Sequence, residues 1–331
     1  MTIELIGPAS FDEATAERCA EIFNAQAAAA GLSNAPMTGA SLAAQAKFTH
    51  DNRPFDRIWL AREGNDVIGF ASLEFSRWDN EHMALAFCVV HPDHHGRGLG
   101  RELLEAQVGE TRAVGRTMLL TFTMRDTPAQ KMLIEYGFEI AQATAQRRLR
   151  PQDVDYTVIQ GLADEAARHA ADYEIVRLNG AAPEEWLEEL VNLFEAMNDA
   201  PLDDIDLTPD AFPVERMRRY EAAMDARGQH LYRMMARHKQ TREWAGHTIL
   251  CADTLRPGVA MQEDTTVVEA HRGHRLGMWL KASMLLWTHD EQPDLQTIDT
   301  WNAESNDHMI AVNDQLGCFV NGRGTALQLH L

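Results

Sequence analysis

The sequence predicts an α/β protein, in the α+β sense of mixed sheets flanked by helices, built as two like halves. Three observations predict it. A chain of 331 residues is too long for one ordinary hydrophobic core. Strand-like apolar runs and helical patterns follow in the same order in the first and second halves. A glycine-bearing turn after an apolar run occurs twice, with His95 and Arg272 as corresponding residues 177 positions apart. The pattern implies a tandem duplication: one domain over 1–150, a partly helical linker over 151–171, and a second domain over 172–331.

In the first half, 3–6 is a short strand, and helical patterns follow over 11–30 and after Pro36. Strands over 57–63 and 67–75 are joined by Gly64-Asn65-Asp66, residues that tolerate the positive φ of a hairpin turn. The continuous apolar run MALAFCVV (83–90) fits a strand covered on both faces. A helix over 101–115, a strand over 117–123, a helix over 128–136 and a strand over 140–149 complete the half. The second half repeats the order. A strand over 173–178 precedes helices over 183–197 and 214–226, and a hairpin spans 230–238 and 244–252. A strand then runs into His271, with a helix to His289, a strand over 295–301, a helix over 303–316 and a last strand over 325–331.

Composition excludes several classes. A net charge of −20 argues against nucleic acid, whose phosphates need clustered Lys and Arg. The acidic field attracts cations, but solubility alone accounts for it more simply. No apolar run approaches a membrane span, and MTIELIGPASFDEA lacks the features of a secretion signal. The four cysteines are dispersed without a CxxC pair, which indicates a reduced, cytoplasmic protein with no metal site.

The stretch VVHPDHHGRGLGRELL (89–104) carries the main chemical signal. Glycines at 96, 98 and 100 bare one side of a turn at the positive end of a helix, so successive N–H groups can reach an anion such as pyrophosphate. The spacing is neither a P-loop nor a dinucleotide fingerprint. VVEAHRGHRLG (267–277) is its second version.

These stretches resemble the acyl-CoA pyrophosphate loop of the GCN5-related N-acetyltransferase (GNAT) superfamily, written Q/R-x-x-G-x-G/A. The first copy is His95-Gly96-Arg97-Gly98-Leu99-Gly100, with histidine where the family has Gln or Arg. The second is Arg272-Gly273-His274-Arg275-Leu276-Gly277, with Arg275 in place of the middle glycine. The resemblance implies two tandem GNAT-like domains, each with a mixed sheet that splays after its fourth strand. It implies acetyl-CoA or another short acyl-CoA as cofactor. Backbone groups of residues 87–90, or 266–268, would pair with its pantetheine arm, and Val89 or Val90, or Val267 or Val268, would supply an oxyanion N–H. Asn302 and Asn306 would be further cofactor contacts.

The implied reaction is acetyl transfer to a primary amine of a small molecule, cationic in water, by direct attack. A catalytically degenerate acyl-CoA sensor or scaffold is the alternative. The amine must lose a proton before attack, so a base is needed. Glu263 and Asp264 in the second half and Glu81 or His82 in the first, each before or on the fourth strand, are the candidates, with the carboxylate of Leu331 if the last strand ends near the second cleft. The family's acidic tyrosine is replaced by Leu133 and Asn313. The chain is expected to act as a monomer or homodimer.

Overall fold

A computed structural model describes all of Met1–Leu331. The first half runs β1 (Thr2–Ile6), α1 (Glu13–Ala29), α2 (Gly39–Lys47), β2 (Arg57–Glu63), β3 (Asp66–Phe75), β4 (Met83–Val90), α3 (Leu99–Ala113), β5 (Met118–Met124), α4 (Pro128–Tyr136) and β6 (Glu139–Leu149). The second runs α5 (Tyr156–His169), β7 (Tyr173–Asn179), α6 (Leu187–Glu195), α7 (Val214–Ala226), β8 (Gln229–His238), β9 (Trp244–Asp253), β10 (Val259–Val267), α8 (Leu276–Glu291), β11 (Thr297–Ala303), α9 (Asp307–Gln315) and β12 (Phe319–His330).

Local chemistry sets the element ends. Asp12, Thr38, Thr127 and Asp155 each accept a backbone N–H of the helix they precede, which satisfies donors left over at a helix start. Gly137, at φ 119°, ends α4 in the left-handed conformation. Gly64 and Asn65 close the β2–β3 hairpin between the paired residues Glu63 and Asp66.

Two compact units emerge. Unit 1 comprises Met1–Ala145, Leu202–Thr208 and Asn321–Leu331; unit 2 comprises Gln146–Pro201 and Pro209–Val320. In unit 1 the strand order is β1-β2-β3-β4-β5-β12. Helix α1 and α2 residues pack with Ile58, Phe70 and Val89 on one face, and α3 and α4 residues with Leu73, Ala86 and Leu327 on the other. In unit 2 the order is β7-β8-β9-β10-β11 followed by the end of β6. Here α6 and α7 cover one face with Met235, Ile249 and Cys251, while α5, α8 and α9 cover the other with Met234, Leu250 and Ile298.

The division differs from three consecutive segments of chain. Residues 151–171 are not a separate linker: α5 packs its Ile159, Ala163 and Ala166 into the core of unit 2. The final strand completes unit 1, where Gly324–His330 pair antiparallel with Met124–Met118 of β5. The end of β6 belongs instead to unit 2. There Arg148 makes a buried bidentate pair with Asp299 of β11, at 2.6 Å for both bonds. Strand periodicity tells which face is buried, but not which sheet edge a terminal strand joins.

Candidate active site

Each unit has a parallel strand pair that separates partway. In unit 1, β4 pairs with β5 only from Met83–Met118 to Ala86–Thr121, after which Phe87–Val90 keep β3 as their partner. In unit 2, β10 pairs with β11 only from Val259–Thr297 to Met261–Asp299. An open strand edge therefore faces a cleft in each unit.

Ladder alternation decides which groups face that edge. His91 N–H donates to Ile68 O at 2.8 Å, and Val268 N–H to Ala245 O at 2.9 Å. Their neighbours Val90 and Val267 accordingly turn N–H and C=O toward the cleft, while Val89 bonds across to β3. Val90 and Val267 thus suit a pantetheine amide or an oxyanion. Val89 and Val268 do not, because their donors serve the adjacent strand. The open carbonyls are already engaged: His95 Nε2 lies 2.9 Å from Val90 O, and Arg272 Nε donates to Val267 O at 3.1 Å. This gives the same task to the two residues that head the loops.

The loops themselves are nests. Gly96 and Gly98 have φ of 72° and 84°, and Gly273 and Arg275 have φ of 86° and 56°. None of the backbone N–H groups from Gly96 to Gly100, or from Gly273 to Gly277, has a protein acceptor. Unpaired donors at the positive end of a helix fit the pyrophosphate of an acyl-CoA. Leu99 and Leu276 are buried and anchor the helix starts. Arg97 is tied to Glu63 at 2.6 Å and to His94 at 2.7 Å, Arg275 pairs with Glu165, and Arg272 also pairs with Asp199. The His274 ring lies 5.3 Å from that of Tyr173.

The carboxylates belong to unit 2 alone. The register of β10 on β9 slips between Gln262 and Thr265, so Glu263 and Asp264 together oppose Ile249. Gln262 and Thr265 both bond Thr248, at 2.9 and 2.6 Å, on one face of the sheet. Glu263 and Asp264 consequently share the other face, beneath α6 and α7, where regular alternation would have separated them. Burial, then Asp264, pushes Glu263 up to about 7 against the pull of Arg227; burial pushes Asp264 up to about 6. Tyr220, on α7, lies in the field of both, and its phenol is pushed well up by burial. Counting back from Val90, the matching residues of unit 1 are Ala86 and Phe87, on a strand without a bulge.

Other expected residues are placed differently. Leu331 belongs to unit 1: its N–H donates to Thr117 O at 2.8 Å, and its side chain packs on the unit 1 core. It is no part of the second cleft, because β12 pairs with β5. Asn306 caps α9, accepting from Met309 N–H at 3.2 Å, as Thr127 caps α4. Asn302 accepts from the buried Asn313 at 2.8 Å. In unit 1, His82 lies 3.1 Å from Asp206 O. Arg233, Glu221, His247 and Tyr220, on the side of the sheet that carries the carboxylates, belong to no motif of the sequence. A charged residue at an inward position of the apolar run LYRMMA was the available signal for Arg233.

A twice-repeated splayed sheet with a nest at the head of the following helix defines a tandem GNAT architecture. Residues 24–138 match the model of the Acetyltransferase (GNAT) family. A tandem GNAT protein from the clavulanic acid biosynthesis pathway is similar over 99% of this chain and 98% of its own, with 25% identity and a TM-score of 0.79. A GCN5-related N-acetyltransferase from Sphaerobacter thermophilus shares the fold at 12% identity, with a TM-score of 0.69 over 99% of this chain and 95% of its own. L-amino acid N-acyltransferase MnaT of Escherichia coli (strain K12) is 34% identical over 67 residues, which span 19% of this chain and 38% of that relative. The chain therefore carries a GNAT-family match over residues 24–138 and, over nearly its whole length, has the fold of a tandem GNAT protein. No helix is long and apolar enough to cross a membrane.

Proposed function

We propose that the chain is an acyl-CoA-dependent N-acyltransferase that moves an acetyl or other short acyl group to a primary amine of a small molecule. The observation that carries this reading is the bulge-paired Glu263 and Asp264 on the strand whose open edge ends at a nest. An acyl-CoA supplies an activated thioester carbonyl. The N–H groups of Gly273–Gly277 would hold its pyrophosphate, and Val267 N–H would face its carbonyl. A carboxylate held near neutrality is suited to take a proton from an ammonium and keep the amine nucleophilic. The amine nitrogen would bond to the acyl carbon as the carbon–sulfur bond breaks, and the proton that the nitrogen sheds on becoming an amide would pass to the departing thiolate. With its ordinary pKa near ~8.5, the thiol leaves without an obligatory acid, consistent with Leu133 and Asn313 in place of a tyrosine. The match to a relative named for L-amino acids supports a small acceptor.

Unit 1 supports a second role. It keeps a three-glycine nest and the outward-facing Val90 but has Ala86 and Phe87 where unit 2 has carboxylates. That combination suits holding an acyl-CoA without transferring from it. The test is calorimetry with CoA and acetyl-CoA, together with a thiol-release assay over a panel of amines. Binding and turnover are expected; absence of both would overturn the proposal.

A further inference from the structure

Arg233, on β8, is one of the largest fully buried side chains of the molecule, at 1% exposure. Its Nη1 pairs with Glu221 of α7. Glu221 is itself fixed, accepting from Ala182 N–H at 2.9 Å and from Arg218 at 2.8 Å. The other side of the guanidinium, Nε and Nη2, has no partner. Those two atoms form the planar fork that grips a carboxylate with two parallel bonds. The same chain shows the fork in use: Arg148 binds both oxygens of Asp299 through its Nε and Nη2, and Arg237 turns the same two atoms to Glu174. Leaving both donors buried and unpaired is costly.

The fork's position gives it a meaning. Arg233 pairs across to Ile249, which in turn opposes Glu263 and Asp264. Leu231 and Met235, which flank Arg233 at alternate positions, belong to the core beneath α6 and α7, so Arg233 shares that face with the carboxylates. Two strand spacings, roughly 10 Å at the backbone, separate the cationic fork from the acidic pair. His247, one row along, also has an unpartnered Nε2 and is 1% exposed. Phe194 lies beside the fork: its ring is 5.8 Å from the guanidinium and stacks on Phe212 at 4.6 Å.

We infer that the amine site of unit 2 takes an aminocarboxylate, whose carboxylate seats on the Nε–Nη2 fork of Arg233 while its amine lies at Glu263 and Asp264. This rests on the N-acyltransferase reading and narrows its substrate class. A monoamine without a carboxylate would leave the fork unpaired.

The test is calorimetry on the full chain loaded with CoA. The proteinogenic amino acids and short ω-amino acids are each titrated beside the corresponding decarboxylated amine. At least one aminocarboxylate is expected to bind about tenfold or more tightly than its amine, and Arg233→Lys, which keeps the charge but loses the fork, to abolish that preference. A panel without any such preference overturns the inference, as does a folded Arg233→Lys protein that retains it. The wild-type panel decides even if the variant does not fold. Acylation of monoamines alone overturns this inference while N-acyltransfer stands. Tight binding of an aminocarboxylate that is never acylated supports the site and overturns the transferase reading.

Discussion

Unit 1 and unit 2 follow one plan yet divide its features between them. Unit 1 has the better anion nest, with glycine at 96, 98 and 100 and no side chain to obstruct the donors. Unit 2 holds Arg275 at a φ of 56°, a conformation that costs an ordinary residue roughly 1–2 kcal/mol. Unit 2 has the carboxylates of the proposed function: a bulge turns Glu263 and Asp264 to one face, with Tyr220 in their field and Arg233 two strands away on that face. Unit 1 has an unbroken ladder carrying Ala86 and Phe87. Under the proposed function, the lesson is that a loop for the acyl-CoA and a base for the reaction are separable parts. A chain with two copies can keep one without the other.

The largest effect tests the division of the chain itself. Residues 1–150 expressed alone lack β12, which leaves β5 as a bare edge, and residues 151–331 lack Arg148 and leave Asp299 buried without it. Removing one partner of a buried ion pair costs about 3–5 kcal/mol. Neither fragment is expected to show a cooperative melt by circular dichroism, whereas two independently melting fragments would break the account. Next in size, Glu263→Gln with Asp264→Asn should lower kcat by about 10²–10⁴, the usual worth of a positioned base. Calorimetry on that variant should return an unchanged CoA affinity, since the nests are untouched.

A smaller change is expected from Gly98→Val. A β-branched residue at φ 84° forces the nest out of shape, and CoA affinity at unit 1 should fall about tenfold by titration. The mildest is Arg275→Gly. It relieves the left-handed residue while losing an exposed ion pair with Glu165 that contributes little. A gain of about 1 kcal/mol, or ~2–4 °C in melting temperature, is expected by calorimetry. If Arg275→Gly instead weakened CoA binding strongly, the arginine itself would be a phosphate ligand.

Much of this was legible in the sequence because it depends on local chemistry. Apolar periodicity and the Gly64 turn placed most elements to within a few residues, and the glycine spacing pointed to both nests. The bulge was not legible: EDTT (263–266) reads as part of an ordinary strand, and only its pairing with β9 shows the slip. Ladder parity likewise separated Val90 from Val89 and Val267 from Val268, a distinction no residue type carries. Leu331 was misplaced because the choice of sheet edge is a long-range event. The family resemblance gives Asn306 a cofactor role; that its side-chain oxygen also accepts Met309 N–H at the start of α9 is visible only in the structure.

The pH dependence of kcat/KM bears most directly on the claim that catalysis resides at the bulge of unit 2. Glu263 and Asp264 are raised to about 7 and 6, so they lose their protons, and become able to accept one, as pH climbs through that window. Their ionisation also makes the folded state less favourable as pH rises from the ordinary carboxylate range through about 7, so thermal stability must be followed alongside. The account predicts a rate that rises between pH 6 and 7 in the wild type and a flat, low profile over that window in Glu263→Gln with Asp264→Asn. The same rise in both proteins would contradict it.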